Sequence, residues 1–159
     1  MTDREIAEAT IRSALRECES HLRRLERSVS LLGRFFPISA ERLKMLDEER
    51  IEHVDQFIYR FTRLQDSMGS RLLPAMFTWL EEQDSPIPRI DMLNRLEQVG
   101  VLVSVERWRF FRNLRNTLAH DYPESVDHTA RTLNALYSEF GGMVDLYTTV
   151  RDYYRSRAV

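Results

Sequence analysis

The sequence predicts an all-α protein that folds as an antiparallel helical bundle. Apolar residues recur at alternating intervals of three and four along most of the chain, which is the period of one helix face. No stretch convincingly alternates with the period of two that is typical of a strand. The connections between the periodic stretches are short, and short connections favour antiparallel neighbouring helices.

Length and composition indicate one globular domain over residues 1–159, in which residues 1–36 form an N-terminal helix. Of the 159 residues, 43% are hydrophobic and 30% are charged, as in a folded chain and unlike a disordered one. The single cysteine, Cys18, excludes a disulfide framework and a cysteine-based zinc site. A net charge of −2 argues against coating of nucleic acid by bulk charge.

Arginine supplies nearly all of the basic residues, since Lys44 is the one lysine among 23. Two explanations of the arginine excess are open. One is coding bias, and the other is a need for forked donors that bind phosphate or carboxylate bidentately. No run of 18 apolar residues is present, so no membrane-spanning helix is expected. The polar, acidic start of the chain is unlike a signal peptide, and the expected location is the cytoplasm.

The first half of the chain predicts two long helices. One carries the stripe from Ile11 to Leu32, begins at a capping box formed by Thr2 and Glu5, and ends at Gly33 and Pro37. The other is capped by Ser39, carries the stripe from Leu43 to Leu72 and exceeds 30 residues, with a kink or a stop at Pro74.

The second half predicts a loop and three more helices. The loop covers residues 84–88, and a short helix follows from about Arg89 to Gln98 and ends at Gly100. The next helix begins near Ser104 and ends by Tyr122, before Pro123. The last helix begins near Ser125, and Gly141 and Gly142 inside it allow a bend.

Arg115 is the unusual residue of the fourth helix. On a helical wheel it falls within the apolar arc that carries Trp108, Phe111 and Leu118. A guanidinium is almost never buried without a partner, so Arg115 either pairs with a carboxylate in the core or faces a cleft or a subunit interface. Because a single bundle offers no obvious wet cleft there, an interface between two copies is expected to supply one.

Several polar residues accompany Arg115. Arg112 and Asn116 lie on the flank of its helix, and His120 joins them if the helix continues. By itself, His120 is typical of a helix-end histidine that interacts with the last carbonyl groups. The other histidines, His21, His53 and His128, have no ligand spacing and are expected at the surface or in caps.

The eight residues from Arg115 to Tyr122 combine a cation, an amide, an imidazole, a carboxylate and a phenol. One histidine and one aspartate are too few for a zinc site, and no serine or cysteine nucleophile is indicated. Metal-free acid–base chemistry remains, in which histidine moves a proton and arginine stabilises a developing anion. That pair suits phosphodiester cleavage in RNA, where the 2′-hydroxyl is the nucleophile.

This string resembles the Arg-x4-His-x-Tyr motif of HepT-like toxins, which belong to the HEPN superfamily of all-helical RNases. The motif residues here are Arg115, His120 and Tyr122, and Asn116 matches the polar residue that usually follows the arginine. The resemblance covers residues 45–155, with Ala119 standing where the family often has a larger aliphatic residue.

The resemblance implies a homodimer that cuts RNA without a metal or another cofactor. It also implies a partner, a nucleotidyltransferase antitoxin of the MntA type that transfers AMP to the motif tyrosine, here Tyr122. Arg115 would hold the scissile phosphate, Asn116 would orient the phosphate or the imidazole, and Arg112 and Asp121 would contact the substrate. His120 would take the proton of the 2′-hydroxyl or protonate the leaving oxygen.

A second function fits the same sequence. Some HEPN proteins are inactive, so the chain could be a non-catalytic helical partner or regulatory subunit of a nucleotidyltransferase. The intact pair of Arg115 and His120 favours the enzyme, an endoribonuclease whose expected product is a 2′,3′-cyclic phosphate.

Overall fold

The chain folds as an all-α helical bundle, as predicted. The computed structural model describes residues 1–82, 87–121 and 125–158, except for the side chains of His120 and Asp121. No strand occurs in these ranges. Seven α-helices are described: α1 (Asp3–Leu32), α2 (Ala40–Lys44), α3 (Glu48–Ser67), α4 (Leu73–Glu81), α5 (Arg89–Gln98), α6 (Val105–Asp121) and α7 (Val126–Arg157).

Helix α1 begins and ends as the sequence predicts, and it packs antiparallel to α3 and α4. The Thr2 hydroxyl accepts the Glu5 N–H, and the Glu5 carboxylate accepts the Thr2 N–H, which completes the capping box. Contacts along α1 run in reverse order along its partners. Glu8 meets Trp79 near one end of the pair, and His21 meets Arg60 towards the other.

The second helix is not one continuous helix from Ser39, so that prediction is wrong. Ser39 caps only the short α2, and the Asp47 side chain then accepts the Arg50 N–H and begins α3. This second N-cap marks the start of a separate helix, although the apolar stripe continues across the break between α2 and α3. The chain then stays helical to Glu81, so Pro74 does not stop it.

A π turn at Met68–Leu72 joins α3 to α4, directly before Pro74. In this turn the Leu73 N–H donates to the Met68 carbonyl, five residues earlier. In the i→i+5 pattern of this turn, the residue that would donate to the Gly69 carbonyl is Pro74, and proline has no N–H. The predicted irregularity at Pro74 is therefore a local widening of the helix, and it leaves the Gly69 carbonyl without a backbone donor from this turn.

The remaining helices begin and end close to where the sequence predicts them. Ser104 and Ser125 accept N–H groups in the first turns of α6 and α7. Helix α7 runs through Gly141 and Gly142 without a break. A Cβ at Gly142 would lie 2.8 Å from Nη2 of Arg107, so this glycine permits a close approach of α6. Of the predicted loop, residues 84–86 lie outside the described residues, and Ile87 and Pro88 are not helical.

One continuous core connects the helices. Trp108, Phe111 and Leu118 are buried, and Phe110 and Leu114 pack against them, which confirms the apolar arc predicted for α6. Within the described ranges, no helix is both long and apolar enough to cross a membrane.

Candidate active site

The apolar face of α6 ends at a polar cleft of about 450 Å³ between α3, the π turn, α5 and α6. The described residues that line it include four arginines and one aspartate: Arg63, Arg89, Arg112, Arg115 and Asp66. Asn116, Gly69 and Trp108 also line it. The expectation that a single bundle has no wet cleft beside Arg115 is therefore wrong.

Of the alternatives that its sequence position leaves open, Arg115 faces a cleft, and the carboxylate with which it pairs lines that cleft as well. Its Nε and Nη2 lie 3.0 and 3.1 Å from the two oxygens of Asp66. The two side chains are 27% and 34% exposed, so the pair lies at the cleft and not deep in the core. A bidentate pair of this kind fixes the plane of the guanidinium.

The opposite edge of the Arg115 guanidinium remains directed towards Asn116. Nη1 lies 3.4 Å from Oδ1 of Asn116, a long contact. Arginine has five N–H donors, and Asp66 uses two of them. The remaining donors are held in a fixed orientation for an anion at Nη1.

The predicted substrate residues differ in what the structure describes. Arg112 and Asn116 are exposed and line the cleft with Arg115, so the structure brings these three together. His120 and Asp121 occupy the last turn of α6, but their side chains lie outside the described residues. Tyr122 also lies outside them, so the convergence of Arg115, His120 and Tyr122 stays a prediction.

The π turn shapes the floor of the cleft. Trp108 is only 1% exposed, and a Cβ on Gly69 would lie 3.1 Å from its Cζ2. Glycine at this position therefore lets the indole pack closely against the turn. Arg89, the first residue of α5, donates from Nη1 to the Gly69 carbonyl at 2.7 Å. This bond satisfies the carbonyl that the π turn and Pro74 leave free.

Sequence analysis missed three charged residues of the cleft, namely Asp66, Arg63 and Arg89. Asp66 stands in a helix with several other acidic residues, and no local pattern marks it as the partner of Arg115. The first position of α5 is visible in the sequence, but the approach of that helix to Gly69 is a tertiary contact. The only available signal was the proline at position 74, which predicts an irregular turn nearby.

A second cluster of polar side chains, centred on Glu17 of α1, lies between α1 and α3 next to Arg63. Nη2 of Arg63 lies 3.9 Å from Oε1 of Glu17, and this oxygen also accepts the Ser67 hydroxyl at 2.5 Å. The other oxygen, Oε2, pairs with Arg71. The Ser67 hydrogen bond is the main cause that lowers the pKa of Glu17 below its usual value, and Arg71 adds to it. This network joins the cleft helix α3 to α1.

The surface position expected for His21 is wrong, since His21 is 8% exposed and belongs to the same region. It lies three residues after Cys18 on the core-facing stripe of α1. Arg60 Nη1 contacts its Nδ1 at 3.0 Å, and its Nε2 is buried without a hydrogen bond among the described residues. Burial, followed by Arg60 and Arg63, lowers its pKa.

Comparisons with protein-family models, curated proteins and solved structures found no match for this chain. The described residues contain no group of three or more His, Cys, Asp or Glu placed to hold a metal ion.

Proposed function

We propose that this protein is a metal-independent endoribonuclease toxin of a HepT-like toxin–antitoxin system, and that the cleft at Arg115 is its active site. The observation that supports the proposal best is the orientation of Arg115. Asp66 holds one edge of the guanidinium, and the other edge points to Asn116 in a cleft lined by three further arginines. Such preorganised donors stabilise negative charge that develops on a phosphate.

The proposed reaction is an internal transfer at phosphorus. The 2′-oxygen attacks the phosphorus atom, the bond to the 5′-oxygen breaks, and the products are a 2′,3′-cyclic phosphate and a 5′-hydroxyl. Arg115 binds the scissile phosphate, and Asn116 orients the phosphate or the imidazole. His120 takes the proton of the 2′-hydroxyl or gives a proton to the leaving oxygen, and solvent water exchanges the other of these two protons. Arg112 and Asp121 contact the substrate beside them.

The direct experiment is to incubate the purified protein with total RNA, beside two variants. Arg115→Ala removes the phosphate ligand and should abolish cleavage. Arg131→Gln removes an exposed arginine of α7 that does not line the cleft and should cleave as the wild type does. Equal cleavage by the wild type and Arg115→Ala would refute the assignment of this site.

The resemblance to HepT-like toxins also supports a homodimer in the active state. Because the cleft is already present in one chain, the dimer is needed for the second set of motif residues and not to create a groove. Light scattering at micromolar concentration should give twice the monomer mass. A monomer with full nuclease activity would contradict this part of the proposal.

The proposed antidote is a nucleotidyltransferase of the MntA type that transfers AMP to Tyr122. The added phosphate would compete for the donors of Arg115, and the adenosine would occupy space for the substrate. Coexpression with a nucleotidyltransferase of the MntA type should therefore add the mass of AMP to the wild type and not to Tyr122→Phe. Added mass on Tyr122→Phe would remove this tyrosine from the mechanism.

A further inference from the structure

Arg89 and Arg115 are attached to the same face of one helix by two different acceptors. Arg115 is bound by the Asp66 carboxylate, and Arg89 by the Gly69 carbonyl, three residues further along. Residues three apart are neighbours on a helix surface. Both guanidinium groups therefore reach the cleft from fixed positions on its floor, although they come from two different helices, α6 and α5.

Two polar contacts hold the C-terminal end of helix α5. Nε of Arg95 donates to Glu81 at 2.8 Å, which ties the helix to α4. Two residues further on, the Glu97 carboxylate accepts the Val105 N–H at 2.6 Å, which ties the same end of α5 to the start of α6. Arg89 therefore belongs to a rigid element, although its side chain is exposed.

The charge of the cleft exceeds what one phosphodiester can neutralise. Four arginines and one aspartate among the described lining residues leave a formal excess of three positive charges. A phosphodiester carries one negative charge, so a ligand that balances the cleft presents about three phosphate charges together. Arg115 is assigned to the scissile phosphate, and the excess at Arg89 and Arg63 has no role in that reaction step.

We infer that Arg89, together with Arg63, forms a second phosphate subsite that binds the backbone of the RNA strand beside the cleavage point. The inference rests on the proposed function for the identity of the strand as RNA. The shared chemistry is a run of phosphates, which a free nucleoside triphosphate also supplies. The subsite makes a strand of several nucleotides the preferred substrate. A dinucleotide has a single internucleotide phosphate, so it cannot place one phosphate at Arg115 and another at Arg89.

The test measures binding without cleavage, so that it does not depend on the catalytic step. A fluorescent 2′-O-methyl RNA of ten nucleotides, which lacks the nucleophile, is titrated with protein at several salt concentrations and followed by anisotropy. Arg89→Gln should weaken binding roughly tenfold at low salt. It should also reduce the slope of log Kd against log salt by about 0.7, the value for one phosphate contact to a single strand.

Two further variants separate the subsite from general effects. Arg89→Lys keeps the charge and should restore the salt slope, which shows that a fold defect does not cause the loss. Arg131→Gln removes a charge outside the cleft and should bind as the wild type does. Wild-type affinity and slope in Arg89→Gln, or an equal loss in Arg131→Gln, would overturn the inference.

Competition with ATP in the absence of magnesium distinguishes the two sources of phosphate. We expect ATP to displace the RNA only at much higher concentration. Tight, Arg89-dependent binding of ATP without binding of the RNA would assign the subsite to a free nucleotide and overturn the RNA assignment. Cleavage that depends on Arg115, with binding that ignores Arg89, would remove the subsite and leave the proposed function intact. Arg89-dependent RNA binding without cleavage would support the subsite and contradict the proposed nuclease function.

Discussion

The guanidinium of Arg115 meets the carboxylate of Asp66 side-on, with distances of 3.0 Å from Nε to Oδ1 and 3.1 Å from Nη2 to Oδ2. Because two hydrogen bonds fix the plane of the guanidinium, its free edge has one direction relative to α3. In our account Asp66 is a positioning residue, since it acts on the phosphate only through Arg115.

Asp66→Asn should lower the kcat of RNA cleavage about tenfold, because misplacement of a phosphate ligand raises the barrier. The KM should stay the same or fall, since the variant removes the one negative charge among the described residues of the cleft. Loss of a partly exposed pair should cost at most about 1 kcal/mol of stability. Steady-state kinetics check the split between kcat and KM, and Asp145→Asn on α7 is the matched control. Wild-type kcat in Asp66→Asn would exclude a positioning role.

Gly69→Ala should destabilise the fold, because its Cβ would lie 3.1 Å from the buried indole of Trp108. Overpacking typically costs about 1–3 kcal/mol. Removal of a glycine from a helix gains up to about 1 kcal/mol, which does not offset the upper part of this range. Gly141→Ala in α7 is the control, since no described atom beyond its own turn of helix lies within 4 Å of the added Cβ, and the variant should be more stable than the wild type. Urea denaturation measures both, and equal stability of the two variants would contradict the packing described for Trp108.

The free energy of unfolding should fall as the pH is lowered from 8 to 5.5. Burial, Arg60 and Arg63 hold the pKa of His21 below its usual value of 6.5, so the unfolded chain takes up a proton that the folded chain resists. Glu17 acts at lower pH, because its lowered pKa gives a stability that is lost only below its usual value of 4.5.

His21→Asn keeps an acceptor near the position of Nδ1 and should flatten this pH dependence. His53→Asn removes a more exposed histidine, 28% exposed beside Glu49, and serves as the control. Urea denaturation at half-unit pH intervals gives the slopes. The same slope in His21→Asn as in the wild type would assign the pH dependence to another group.

Cys18 should not react with a thiol reagent in the folded protein. It is fully buried, and burial raises the pKa of its thiol to about 12, so the reactive thiolate is scarce at neutral pH. A colorimetric disulfide reagent should report no thiol in native buffer and one thiol per chain in denaturant. Rapid reaction in native buffer would show that α1 opens at its centre.

Local signals in the sequence predict the fold more completely than they predict the site. The caps at Thr2 and Ser125 and the apolar arc of α6 depend on near neighbours, and they lie where the sequence places them. The break before α3 was missed because an apolar stripe can continue across a new cap, here at Asp47. Such a break depends on one side-chain hydrogen bond and not on the period of the stripe.

The cleft shows the same division. Arg115 and Asn116 were predicted from their place on one helix, where an arginine in an apolar arc needs an explanation. Asp66 and Arg89 were not, because their roles depend on how α3 and α5 meet α6 across the fold. The Gly69 carbonyl is available to Arg89 only because of the π turn, and no residue pattern specifies a π turn by itself.

The most direct test of the central claim uses a short RNA that the protein cuts once, in a buffer with excess chelator. The account predicts cleavage to a 2′,3′-cyclic phosphate, a loss of roughly 10²–10⁴-fold in His120→Ala, and no cleavage when the nucleotide before the cut carries 2′-hydrogen in place of the hydroxyl. Cleavage of that 2′-deoxy substrate, or activity that disappears with chelator and returns with magnesium, would contradict it.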